Sequence, residues 1–271
     1  MSLTALETYL RPLKELFEEE GIAEISINKP GEAWIEQFGE MRHRELPAFT
    51  RDHLMSLGRL VAQSTEQVIS EESPLLGATL PDGYRIQIVF PPVCDPGSVV
   101  MSIRRQVVLD YDLKQYEELG AFDLTQTHLD AQKENRELRD LLDKGEIREF
   151  ISTAVRMRKN MIISGGTSTG KTTFLNAALK EIPTSERIIT CEDAREVNLH
   201  HLENKAHLLV SRGGQGRAKV SMQDLIEACL RLRPDRIICG ELRGSEAYSY
   251  LRAVNTGHPG SITTLHADHP N

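Results

Sequence analysis

Apolar residues at Leu3, Leu6, Tyr9-Leu10, Leu13 and Leu16-Phe17 recur at three- and four-residue steps, which predicts helix at the start of the chain. Pro12 is expected to divide that stretch into two short helices, because proline disrupts an interior turn but suits a helix start. Strand-like runs at 22–28 and 33–38 flank Lys-Pro-Gly, and runs at 75–80 and 84–90 flank Pro-Asp-Gly, the pattern of two hairpins. Residues 50–69 read as helix and SVVMSIRR (98–105) as a further strand. Residues 1–106 therefore form a mixed α+β domain. Residues 107–143 are polar and keep no strand pattern, as in a helical linker. From 144 to 271 the pattern changes. A helix at 146–157 is followed by apolar runs at 161–163, 187–190, 206–210, 237–239 and 261–265, which alternate with helical stretches at 174–180, 221–233 and 245–254. Such alternation gives α/β architecture, a parallel sheet wrapped by helices. A sheet this apolar is ordinarily followed by covering helices, so helices beyond residue 271 are expected.

The break between the first apolar run of this second domain and its helix reads GGTSTGKTT. Gly165, followed after four residues by Gly170-Lys171-Thr172, fits the phosphate-loop pattern G-x-x-x-x-G-K-[ST]. Gly165, Gly166, Thr167, Ser168, Thr169 and Gly170 let backbone N–H groups curl around a polyphosphate. The helix N-terminus with Thr172 and Thr173 adds orphan donors and a positive dipole end. Lys171 supplies a compact charge, and the Thr172 hydroxyl is a ligand for Mg²⁺. Strand, loop and helix come in the order the motif needs, so ATP with Mg²⁺ is the expected ligand.

Polar residues follow further strands at the carboxyl ends, where open parallel sheets bind ligands. Glu192-Asp193 and Glu196 follow the run at 187–190. Glu241 ends the run at 237–239, the place for an acid that holds Mg²⁺ or orients water. His266 follows the run at 261–265, either as a phosphate sensor or as a satisfied structural histidine. Beside Lys171, Glu241 is the better candidate for orienting water or metal, because it follows its hydrophobic strand directly; Glu192 is a second acid whose role is not separable from it at this level.

Composition narrows the classes. The chain has 271 residues, 32 Lys and Arg against 40 Asp and Glu, and a formal net charge of −8. That balance argues against generic nucleic-acid binding, which calls for a basic face. Cys94, Cys191, Cys229 and Cys239 form no C-x-x-C pair and read as small buried hydrophobes of a reducing, cytoplasmic compartment. No apolar run reaches transmembrane length, so any membrane contact is expected through partners.

GGTSTGKTTFLNAAL, the acidic box ITCEDAREVNL, LRLRPDRIICGELRGSEA and NTGHPGSITTLHA together resemble the secretion traffic ATPases, in the family's order. EISINKPGEAWIE, GYRIQIVFPPV and SVVMSIRR are similar to that family's first domain. The short first domain looks closest to the type IV secretion (VirB-eleven type) members, and the cysteines cannot form the metal insert of the type II enzymes. The resemblance implies a RecA-like domain and a homo-hexamer docked on inner-membrane components of a secretion apparatus. It also implies a nucleotide between two domains of one subunit, reached by first-domain arginines at Arg85 and Arg104. Ala194-Arg195 departs from the family's usual acidic box. The residues leave open a pilus retraction motor, another RecA-like translocase, and a nucleotide-gated scaffold with little turnover.

Overall fold

The computed structural model of the chain describes residues 2–105, 111–123, 135–211 and 216–267. Helix α1 (Ser2–Phe17) runs unbroken, with Pro12 inside it, where two helices were expected. Leu6, Leu10, Leu13, Leu16 and Phe17 lie on both sides of the proline and all bury in one core. Interior proline costs about 3 kcal/mol, whereas each buried Leu or Phe stabilises by roughly 1.5–3 kcal/mol, so the continuous apolar stripe prevails.

The first sheet comprises β1 (Ile22–Ile27), β2 (Glu32–Gln37), β3 (Glu40–Glu45), β4 (Leu75–Thr79), β5 (Arg85–Val89) and β6 (Val100–Arg104). Its order is β3-β2-β1-β6-β5-β4, and its pairings are antiparallel. Helix α2 (Arg51–Ser64), capped by the Thr50 side chain, packs beside α1 over the same core. Strand β3 was not expected from the sequence. EMRHRE carries no apolar alternation because it is a solvent-facing edge, where charge blocks further pairing.

Short helices α3 (Leu113–Glu118) and α4 (Arg136–Asp143) lie in the polar connection; the remainder of the expected linker lies outside the described residues. The second domain then follows the predicted alternation: α5 (Ile147–Arg156), β7 (Met161–Ser164), α6 (Lys171–Leu179), β8 (Ile188–Glu192), β9 (Lys205–Leu209), α7 (Met222–Cys229), β10 (Arg236–Leu242), α8 (Glu246–Asn255) and β11 (Ile262–Leu265). Its five strands are parallel in the order β7-β11-β10-β8-β9. The carboxyl ends of β7, β11, β10 and β8 thus line up along one edge.

The domains share apolar packing. Val89, Val93 and Val100 of the first join Ile189, Leu208 and Ile237 of the second in one cluster. Val93 O accepts from Leu209 N at 2.7 Å. Arg187, fully buried, donates to Asn28 Oδ1 and Asn204 Oδ1 at 2.6 Å each, tying β1's end to β8's start. Burial pushes its guanidinium down to about 10, so it remains charged at neutral pH. Arg233 forks onto Glu36 with two 2.7 Å bonds across the same joint. The four cysteines are buried and free.

Candidate functional site

The phosphate loop leaves β7 and enters α6 with the backbone that its glycines permit. Gly170 has φ +87° and heads α6 without a side-chain cap, so the first N–H groups of the helix stay available to an anion. Gly165 is required for another reason: a Cβ there would stand 2.8 Å from Thr169 Oγ1. Lys171 Nζ donates to Gly165 O at 2.8 Å and Gly166 O at 2.6 Å, and Thr169 Oγ1 donates to Gly166 O at 2.9 Å. The ammonium is therefore held within the loop's own curl. Residues 168–173 and Glu196 line a depression of about 540 Å³ over it.

Two further strand ends reach the loop. His266, just past β11, places Nε2 2.7 Å from Thr167 Oγ1. Ser164 Oγ donates to Ala267 O at 2.8 Å, which pins the same junction. From the acidic box, Glu196 Oε2 accepts from Thr172 Oγ1 at 3.1 Å. Asn176, one turn along α6, donates to Glu196 O at 2.9 Å and accepts from Asn198 N at 2.7 Å. The acidic-box segment is thus laced to the phosphate-side face of α6.

Glu192 and Glu241 end neighbouring strands but are held differently. Glu192 is 1% exposed. Its Oε1 accepts from Glu196 N and Val197 N at 2.8 Å each, and its Oε2 from Thr190 Oγ1 at 2.8 Å, with His207 Nδ1 at 3.5 Å. Burial pushes this carboxyl up, but the bonds from His207, Val197, Glu196 and Thr190 outweigh it and hold the group below the usual carboxylate range. A carboxylate that is withdrawn from water and already accepts three bonds at 2.8 Å has little acceptor capacity left for a metal or water. The role of catalytic acid expected for it therefore does not fit this geometry; it fits a clamp on the Glu196 segment. Glu241 is 15% exposed, and its carboxylate pairs with Arg243, which also lies 3.9 Å from Asp193. Its pairing with a half-exposed arginine leaves acceptor capacity.

Arg85 and Arg104 face each other across β5 and β6. They line a separate groove of about 820 Å³ with Arg231, Arg233 and His258. That groove shares no lining residue with the depression over the phosphate loop. Within one chain the structure does not bring these arginines to the loop, because the first domain docks along β8 and β9 through Val93, Asn28 and Asp95, the last paired to Arg195 at 2.6 Å. His258 is likewise remote from the loop, bonded to Pro234 O at 3.0 Å.

Among the described residues no group of three His, Cys, Asp or Glu side chains could hold a metal unaided. What stands at the loop is an all-oxygen donor set, the Thr172 hydroxyl with a nearby carboxylate. It suits a hard cation that takes its other ligands from phosphate and water, as Mg²⁺ does. Sequence reasoning named Glu196 without a role and missed Asn176, Thr190 and His207. The spacing of Glu196 four residues after Glu192 was the available signal. The other three are ordinary helix and strand residues whose importance comes from contacts across elements.

The family model described as "Type II/IV secretion system protein" matches residues 7–270. The type IV secretion system protein PtlH homolog of Bordetella bronchiseptica is 39% identical over 264 residues, covering 97% of this chain and 78% of the relative. VirB11 of Bartonella henselae, a type IV secretion system protein, is 38% identical over 272 residues, covering 96% of this chain and 76% of the relative. The crystal structure of the VirB11 ATPase from the Brucella suis type IV secretion system, in complex with sulphate, superposes with a TM-score of 0.92 at 34% identity, over 99% of this chain and 78% of that one. A complete phosphate loop in this sheet, a family model spanning nearly the whole chain and relatives of this identity agree: the chain belongs to the type II/IV secretion system protein family.

Proposed function

We propose that the protein is the Mg²⁺-dependent ATPase of a type IV secretion system, a homo-hexameric motor that powers substrate export or pilus assembly from the cytoplasmic face of the inner membrane. The observation that carries this reading is the complete phosphate loop, with Lys171 held inside it, His266 on Thr167 and Glu196 on Thr172. The affinity for type IV secretion relatives supports the apparatus. No described helix is long and apolar enough to cross a membrane, so attachment through inner-membrane components is consistent with the chain.

The reaction is ATP + H₂O → ADP + phosphate. Gly165 to Thr173 bind the polyphosphate through backbone N–H groups, and Lys171 neutralises the β- and γ-phosphates. Thr172 would hold Mg²⁺, with Glu241, near the end of β10, as the second candidate ligand. When bound, the metal neutralises charge developing on the phosphates. Glu241, whose carboxylate pairs among the described residues with the half-exposed Arg243, orients the attacking water and accepts its proton. Glu192 positions Glu196, and His266 reports on the γ-phosphate through Thr167. Arg85 and Arg104 act on the nucleotide of a neighbouring subunit, since within one chain they line a separate groove. Arginine forks from a second subunit exclude water and couple hydrolysis to domain movement.

The test is Lys171→Ala. Steady-state hydrolysis by the purified oligomer should disappear while the thermal melt is unchanged, because among the described residues the Lys171 ammonium bonds to loop carbonyls and not to the core. Retained turnover with a normal melt would sink the assignment. A parent protein that binds ATP and assembles without turnover would instead be a scaffold.

A further inference from the structure

Glu196 reaches Thr172 from a segment whose amides Glu192 holds, and the second oxygen of Glu192 is approached in turn from β9. The proton inventory of that second contact is decisive. Thr190 Oγ1 lies 2.8 Å from Glu192 Oε2 and 3.0 Å from His207 Nδ1. The threonine has one hydroxyl proton, and an ionised carboxylate can only accept. That proton therefore goes to Glu192, and the proton on the second bond comes from His207 Nδ1–H. In the parallel pairing of β8 with β9, His207 is the register partner of Thr190, so this bond crosses directly between strands. His207 also lies on the wall of a cleft of about 420 Å³ between the domains, opposite Asn28, Trp34 and His43 of the first. Its ring is the point at which the domain joint meets the acidic-box clamp.

We propose that His207 is a positioning residue for the ATPase reaction: its Nδ1–H, through Thr190 and Glu192, fixes the Glu196 segment against Thr172 and Asn176. The inference rests on the reading of Thr172 as the Mg²⁺-side residue of an ATPase. The chain of contacts runs His207 to Thr190 and Glu192, then to the Glu196 and Val197 amides, and from Glu196 and Asn198 to α6. Each link is between 2.7 and 3.1 Å. Without His207 the Thr190 hydroxyl loses the donor that fixes its orientation; the carboxylate it holds loosens with it, which would shift the two amides on the other oxygen of Glu192. Neither His207 nor Thr190 touches the loop, so the consequence is felt in how well MgATP is gripped.

The experiment compares His207→Leu, His207→Asn and His207→Gln in the intact protein. Equilibrium binding of a fluorescent ATP analogue is measured with Mg²⁺ and with EDTA, alongside KM and kcat. Asparagine can present an amide N–H where Nδ1–H stands; glutamine fills more of the space but places its amide one bond further out. His207→Leu should weaken Mg²⁺-dependent binding and raise KM by about tenfold, the scale of one hydrogen bond to a charged acceptor. Binding in EDTA should change little. His207→Asn should restore parent behaviour and His207→Gln should not. In a Glu192→Gln background, replacing His207 should have no further effect. Equal behaviour of Asn and Gln variants, or an equal loss with and without Mg²⁺, would overturn the proposal and leave His207 as cleft packing. If the leucine variant fails to fold, the Asn and Gln pair decides alone. A parent protein that neither binds nor hydrolyses ATP would overturn the functional reading itself, and with it this inference.

Discussion

Glu192 and Glu241 sit at the ends of β8 and β10, neighbours in one parallel sheet, and the sequence offers both as catalytic acids, with Glu241 ahead. Their surroundings are opposite. Around Glu192 the chain converges two backbone amides, a threonine hydroxyl and a histidine, and removes the group from water. Around Glu241, among the described residues, it places the half-exposed Arg243. The difference shows how a fold divides labour between identical side chains: the saturated one fixes geometry, and the unsaturated one keeps acceptor capacity for a metal or a water.

The largest effect expected from this contrast is on turnover. Glu241→Gln keeps the shape and removes the charge, so it should lower kcat by roughly 10²–10⁴, with ATP binding and melting temperature near those of the parent. Single-turnover rates on bound nucleotide check this, and a collapse of affinity at a normal rate would make Glu241 a binding residue. An effect on stability comes next. Glu192→Gln sets an amide against the Thr190 and His207 donors, which should cost about 2 kcal/mol and lower the melting temperature by roughly 4–8 °C. The sign in acid follows from the lowered carboxyl. Its contribution is complete above the usual carboxylate range and is lost as pH falls through the lower value of the folded protein. Parent and variant should therefore converge in melts taken towards strong acid; a constant gap would mean that the charge is not what stabilises.

The smallest effect concerns the arginines. Arg85→Ala and Arg104→Ala should each weaken ATP binding of the assembled ring by about tenfold. They should leave melting unchanged, since no described acidic partner is lost. Mixing Lys171→Ala subunits with Arg85→Ala/Arg104→Ala subunits should restore part of the activity, because some interfaces then pair an intact loop with intact arginines. Mixtures as inactive as either parent variant would return the arginines to their own subunit's nucleotide.

Much of this was legible along the chain. The 3.6-residue stripe of α1, the Pro-Asp-Gly hairpin of β4 and β5, and the alternation from β7 to β11 are local patterns, and each yields its element. Pro12 and β3 were misread for the same reason: local propensity was outweighed by neighbours distant in sequence. The common core of Leu6 and Phe17 carries the helix through the proline, and pairing with β2 makes a strand of EMRHRE.

For the site, the sequence by itself determined the phosphate loop, because Gly165, Gly170, Lys171 and Thr172 act through backbone freedom and charge within a short span. It also placed the acids and His266 at strand ends, since strand and helix periods fix where each element stops. Only the tertiary structure decided what each of them does. Whether a carboxylate is a clamp or an open acceptor depends on donors that β9 and the acidic-box segment bring to it, and those arrive by packing across the sheet. Which groove the arginines face depends on how the first domain docks along β8 and β9, a property of buried surfaces such as Val93 and Asn28 that no short motif records.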